Sequence, residues 1–404
     1  MLYRGHLLSA LDERRHDFAL FERTLRDEVG EAARRLRALG AMSAAAARDA
    51  VGGAAARVTC PSAELDARGG VVVPFAEEWR SHEEARGWAR GVLEGRVTMA
   101  ADGSQIFPGR EVSMPVAAVQ VASFENAHTL GGEYTKEISI RVVTPDELLA
   151  GDRAYESPEQ VVGVRRFELE VETICGFLER KRNWRARGER APVAFLDGSL
   201  LISSRRKSVE VMFSSRYAEA LVKLLRLSRE TGVPVVGFID QSYAPDLRDL
   251  LETLDADWRP QSVFDAQILR AADDGAPPLL DAWGDRTIFW HCRRANLADN
   301  FYDERGEPVV GFAYVQTTGD GHPARVEVPA WVYEAGLLDE VLDAVRAECV
   351  VGNGYPYAVE TADEAAVMTA RDRQQFLRVM QDFAGRHSFA FRVSRKAASK
   401  ARRR

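Results

Sequence analysis

The chain has 404 residues, 46% of them hydrophobic, enough to bury a large core in one big domain with appendages or in two domains. A net charge of −7 and a pI near 5.7 exclude a globally basic, nucleic-acid-coating surface, and the absence of any run of 18 apolar residues predicts no membrane span. Cys60, Cys175, Cys292 and Cys349 are widely scattered, with no Cys-x-x-Cys or Cys/His ligand spacing, which argues against structural zinc and for a reduced, cytoplasmic protein. The first residues hold no apolar segment ending at a small-residue cleavage site, so no signal peptide is expected.

Residues 10–40 predict one long helix, with Leu11, Phe18, Phe21, Leu25, Val29, Ala32 and Leu36 at helical spacing among Arg and Glu residues. That stripe either packs on the body of the protein or meets a partner. An Ala/Gly-rich stretch then predicts a weak helix and a linker, and SHEEARGWARGVLEG predicts a helix with Ser81 as its N-cap. Residues 1–90 are thus a helical region and linker, ahead of a domain over 91–387 and a basic tail over 388–404. RVTMAADGS, EVSMPVAAVQVASFEN and YTKEISIRVVTP are three strand-like runs separated by turn signals, a meander of antiparallel strands. A long helix follows, with Ser157 as N-cap and Pro158 at its first position. The chain next alternates strand APVAFLD, a helix and strand VPVVGFID, which implies parallel strands joined by crossovers.

Three meander strands, a helix and a parallel strand is the order of an RNase H-like core. The expected fold class is therefore α/β: a mixed sheet flanked by helices, with an N-terminal helical extension. Beyond residue 258, RTIFWHC, EPVVGFAYVQT and ARVEVPAWV predict further strands, and LLDEVLDAVRAECV an amphipathic helix. In the last region Thr361 and Glu364 fit a capping box, which would place Asp363 in the first turn of a helix.

One tripeptide occurs twice: Asp102-Gly103-Ser104 and Asp197-Gly198-Ser199. Each follows a short apolar run, so each aspartate is expected where a buried strand ends. Asp-Gly is also common turn chemistry, and on its own the repeat reads equally well as two ordinary turns. In the RNase H-like order, however, the first and fourth strands are neighbours and their acids meet at one sheet edge. Converging carboxylates are costly unless a cation neutralises them. The intervening helix adds Glu168, Glu170, Glu172 and Glu179; residues 168 and 172 share a face that 170 does not. Two or three carboxylates suit one or two Mg²⁺ or Mn²⁺ ions, and such sites clamp the attacking and leaving oxygens in phosphoryl transfer. The tail carries Arg392, Arg395, Lys396, Lys400 and Arg402 to Arg404 without an acid, either solvated or a tether for phosphates.

The Asp-Gly-Ser near the start of the sheet, the Arg-x-x-x-Glu pattern of Arg166 and Glu170, the strand ending in LDGSL and the late GYPY…AD segment together resemble the NurA family of DNA-repair nucleases over residues 95–385. The resemblance implies a homodimer that admits DNA and works with a HerA-type hexameric ATPase. It also implies Mn²⁺-dependent (or Mg²⁺-dependent) 5′-to-3′ exonuclease and single-strand endonuclease activity. It assigns Asp102, Glu170 (or Glu168, one turn register away), Asp197 and Asp363 as metal ligands and catalytic residues. This chain departs from the family at Asp363, where many members have histidine, and at Asp240-Gln241-Ser242, where members often have lysine. Arg293, Arg294, Arg395 and Lys396 are the alternative DNA contacts. Two other functions compete: an actin-like phosphotransferase, which needs a glycine-rich phosphate loop in each half that is not evident here, and a non-catalytic adaptor docking on a motor ATPase.

Overall fold

The computed structural model describes residues 2–109, 111–129, 131–132, 134–149, 157–202, 210–272, 276–294, 297 and 299–394. The chain divides into two units, one built from Met1–Glu78, Ile239–Ala295 and Gly311–Val326, the other from Trp79–Phe238, Asn296–Val310 and Glu327–Arg404. No described helix is long and apolar enough to cross a membrane. All four cysteines are free and buried.

In the first unit the expected long N-terminal helix is two helices, Arg4–Glu13 and Arg15–Gly40, interrupted at Arg14. The apolar stripe of the second is divided along its length. Val29, Ala32, Ala33, Leu36 and Leu39 are buried, whereas Phe18 and Phe21 are 60% and 56% exposed. Strand Val58–Pro61 pairs antiparallel with Trp290–Arg294, which pairs in turn with Val310–Val315. A buried ionic network lies in this unit. Asp246 accepts from Arg294 through both carboxylate oxygens, at 2.7 and 2.8 Å, and from Arg325 at 2.8 Å. Burial alone would raise the Asp246 carboxyl, but Arg325 and Arg294 overcome it and hold it down to about 2. Asp265 accepts from the backbone N–H groups of Leu247 and Arg248, capping helix Asp246–Leu254 from a distant stretch of chain. Arg294, expected at a phosphate, thus has its guanidinium fork engaged by an internal carboxylate.

The second unit carries the elements that place the acids. Helix α1 (His82–Leu93) starts at the expected cap, where Ser81 Oγ accepts the Glu84 N–H. Strands β1 (Thr98–Ile106), β2 (Ala117–Asn126) and β3 (Tyr134–Val143) form the antiparallel meander, paired residue for residue from Thr98↔Asn126 to Ile106↔Ala118 and from Ala117↔Val143 to Asn126↔Tyr134. Helix α2 (Pro158–Lys181) begins with a capping box between Ser157 and Gln160. Strand β4 (Val193–Asp197) lies parallel to β1, helix α3 (Glu210–Thr231) crosses over, and β5 (Val235–Ile239) lies parallel to β4. The order β5-β4-β1-β2-β3 is that of the expected mixed α/β sheet, and Val193 to Leu196 are buried, as a parallel strand covered on both faces requires.

Helix α4 (Leu338–Val351) leads to α5 (Tyr357–Ala366) and α6 (Ala370–Arg386). Here the capping-box expectation fails. Helix α5 starts after Pro356, four residues before Thr361, which is buried in its interior. The cap comes from elsewhere: the buried Glu348 carboxylate of α4 accepts the Ala358 N–H at 2.9 Å. Asp363 therefore lies in the last turn of α5, not the first. The true capping box of this region is Thr369 with Asp372, at the start of α6.

Candidate metal centre

Asp102 does not end its strand. β1 runs on to Ile106, and Asp102 pairs with Ala122 of β2. What ends beside it is the neighbour: the last β1–β4 pair is Ala101↔Leu196, and β4 stops at Asp197. Both aspartates thus stand one residue past that pair. The first Asp-Gly-Ser is extended strand and only the second is a turn. Gly198 has φ +127, a conformation that strains a side-chain-bearing residue, and it turns the chain out of β4. Glu327, fully buried, pins that turn by accepting the Leu200 N–H and the Ser199 hydroxyl, each at 2.8 Å.

Glu170 approaches β1 from α2, and glycine at 103 makes the approach possible. A Cβ there would lie 2.7 Å from Arg166 Cγ and would overlap the Glu170 carboxylate. Arg166 donates to the Gly103 carbonyl at 3.0 Å. Its Nε stands 3.5 Å from Glu170 Oε1, yet that buried oxygen makes no hydrogen bond. Glu168 turns away to ion pairs with Arg165 and Arg216. Of the two glutamates the sequence left open, Glu170 faces the aspartates.

Asp363 is exposed on α5, near enough to Asp102 for its negative charge to raise the Asp102 carboxyl. Tyr355 received no role from the sequence beyond its place in GYPY. Its hydroxyl donates to Asp197 Oδ1 at 2.7 Å, and its ring stands edge-on to Phe238 at 5.2 Å. An aromatic immediately before a proline, at the entry to a helix, was the one available signal. Arg395 and Lys396 lie outside the described residues, and Arg293 and Arg294 belong to the first unit.

The electrostatics are those of acids withdrawn from water. Burial pushes Asp102 up to about 6, with the negative charge of Asp363 adding to it and the Gly103 N–H and Arg166 opposing. Burial pushes Glu170 up to about 7; Arg166 opposes this, while Asp102 and Asp197 add to it. Among the described residues, as they are placed, no group of three or more His, Cys, Asp or Glu side chains is arranged to hold a metal ion. The donor chemistry nevertheless fits a hard divalent cation: carboxylate oxygens only, one of them buried without a hydrogen bond. Tyr355→Phe keeps the ring on Phe238 and removes only the hydroxyl that fixes Asp197. If these acids hold a cation, it is expected to weaken activity about 10–100-fold, as loss of a hydrogen bond that orients a ligand does, with an unchanged melting temperature. A Mn²⁺ titration of wild type and variant checks it.

The NurA domain model matches residues 96–368. The structure is similar to a crystal structure of NurA with manganese, at 10% identity and TM-score 0.42, over 72% of this chain and 89% of that one. It is similar to a second NurA crystal structure at 10% identity and TM-score 0.39, with the same coverage. The catalytic domain of human endonuclease V aligns at 15% identity and TM-score 0.32, over 75% of this chain and 95% of that one. No curated protein matches the sequence. The structural likenesses are too distant to carry an argument about activity. The family match covers well over half of the chain and includes Asp102, Glu170, Asp197 and Asp363, so the chain belongs to the NurA nuclease family.

Proposed function

We propose that the chain is a divalent-metal-dependent DNA nuclease that hydrolyses phosphodiester bonds at Asp102, Glu170, Asp197 and Asp363. The observation that carries this reading is Glu170 Oε1, buried without a hydrogen-bond partner beside an aspartate whose carboxyl is itself pushed up. Burial makes its ionised form costly, and Arg166 at 3.5 Å offsets only part of that, since the carboxyl still stands at about 7. The four carboxylates are the residues that would hold Mn²⁺ or Mg²⁺. Bound there, the cation would polarise the phosphodiester and make water a stronger nucleophile. The chain's own residues do the rest. Tyr355 orients Asp197, Glu327 fixes the turn behind it, and Arg166 holds α2 against β1 at Gly103. By family resemblance the activity is a 5′-to-3′ exonuclease with single-strand endonuclease action in DNA-end resection. The same resemblance supplies a homodimer, a HerA-type hexameric ATPase as partner and a cytoplasmic, nucleoid-associated location.

The test is cleavage of end-labelled single- and double-stranded DNA with Mn²⁺, Mg²⁺ or EDTA. Metal-dependent product ladders are expected, and product polarity examines the exonuclease direction. Absence of cleavage with either metal, both alone and with the ATPase, would sink the nuclease and favour a non-catalytic adaptor. A pH dependence follows from the raised carboxyls. Protons compete with metal at Asp102 and Glu170 below about pH 7. Affinity for Mn²⁺ should therefore rise from pH 6 to pH 8 and level off above it, as free Mn²⁺ measured by electron paramagnetic resonance would show. Flat affinity across that range would remove the raised carboxyls from the metal site.

A further inference from the structure

A second polar cluster lies in the same unit, away from the four carboxylates. It is a cavity of about 250 Å³ between α1, the segment after β2 and the end of α4, with Arg86, Arg90, His128 and Thr129 in its lining. Arg86 and Arg90 are one helical turn apart, both exposed, and neither has a carboxylate partner among the described residues. Like charges at this spacing repel by a few tenths of a kcal/mol. The dipole of α1 accounts for Arg90, which lies in the last turn, but not for Arg86. Glu94 is the one acid in the lining.

His128 is built in rather than left on a loose turn. Its φ is +48, uncommon for a residue with a side chain. Its backbone is held at both ends: the N–H donates to Asn126 Oδ1 at 2.9 Å, and the carbonyl accepts from Gly95. Its ring Nε2 stands 2.8 Å from Thr98 Oγ1 and 3.3 Å from the buried Glu348 carboxylate. Glu348 also caps α5, so one buried acid fixes both this ring and the helix that carries Asp363. Thr98 and Asp102 lie on one face of β1, four residues or about 13 Å apart at the usual rise of a strand.

We propose that this cavity is an anion site that takes a phosphate group, with Arg86 and Arg90 supplying the charge and Thr129 a hydroxyl donor. The fixed His128 forms its wall. The phosphate belongs either to a nucleic-acid backbone running past the carboxylates or to a small phosphate compound. The nucleic-acid source rests on the nuclease reading; the phosphate site itself does not.

The experiment measures binding in EDTA, where no cleavage occurs. Inorganic phosphate and a single-stranded oligonucleotide are each titrated into wild type, into Arg86→Ala/Arg90→Ala, and into the charge-matched control Arg23→Ala/Arg26→Ala. Loss of two charged contacts is expected to weaken binding at least about tenfold. If the phosphate is that of a nucleic acid, the salt dependence of oligonucleotide binding also falls by about one to two phosphate contacts. Weakened phosphate binding with unchanged oligonucleotide binding assigns the site to a small phosphate compound. Binding of both probes unchanged in the Arg86/Arg90 variant, or weakened equally in the control, overturns the proposal. Because catalysis is silent in EDTA, failure of the nuclease reading would leave these results standing.

Discussion

Asp102→Asn is expected to abolish metal-dependent cleavage and, in the same protein, to raise the stability of the metal-free form at pH 8. On the proposed metal-dependent reading, loss of this carboxylate forfeits several kcal/mol of charge stabilisation, so activity should fall by about three orders of magnitude or more. The stability effect has the opposite sign because the carboxyl is pushed up, from 3.8 to about 6. Between those values the folded state keeps a proton that the unfolded state has released, so stability falls as pH rises through the window. Above about pH 6 the full cost of ionising a half-buried acid is present. The shift corresponds to an upper bound of about 3 kcal/mol, and partial exposure reduces it to about 1–2 kcal/mol. Asparagine ionises at no pH and escapes that cost. Its melting temperature in EDTA should exceed that of wild type by about 2–4 °C at pH 8 and match it at pH 4. Retained cleavage would remove Asp102 from the site, and identical melts at pH 8 would show that its carboxyl is not strained by burial.

The sheet was legible where local chemistry decides the outcome. Ser81 and Ser157 cap helices with their own side chains, and the meander followed by parallel strands was written in turn signals and apolar runs. What the sequence could not convey was set by distant partners. Asp102 reads as a strand end because Gly-Ser follows it, yet β2 pairs with that glycine and serine and keeps the chain extended. The start of α5 was hidden because its cap is Glu348, ten residues earlier on another helix. Tyr355 became meaningful only when Asp197 stood opposite its hydroxyl. Arg294 was misleading for the same reason, since a basic pair in sequence says nothing about an aspartate 48 positions away that engages it. The acids carried a signal in the sequence, the repeated Asp-Gly-Ser, but the partners that tune them carried none.

Gly103→Ala should lower cleavage about a hundredfold or more without altering any of the four proposed ligands. The position has no left-handed backbone, so alanine is not excluded by conformation; the obstacle is space. The added carbon meets Arg166 Cγ at 2.7 Å and the Glu170 carboxylate, so α2 must withdraw or Glu170 must turn. Overpacking of this kind costs about 1–3 kcal/mol. A misplacement of about 1 Å at a reacting centre costs about 100-fold in rate. Gly87→Ala supplies the contrast: it lies inside α1 with nothing within 4 Å of the added carbon, and should be neutral or stabilising by about 0.5–1 kcal/mol. The mechanism can be isolated by adding Glu170→Asp to Gly103→Ala. The shorter acid removes the overlap with the carboxylate but leaves Arg166 Cγ at 2.7 Å, so the melting temperature should recover in part, while the carboxylate no longer reaches the position it held and activity stays low. Recovery of both would place the damage in packing alone. Full activity in Gly103→Ala itself would show that α2 can retreat without cost and that Glu170 is not held where the chemistry occurs.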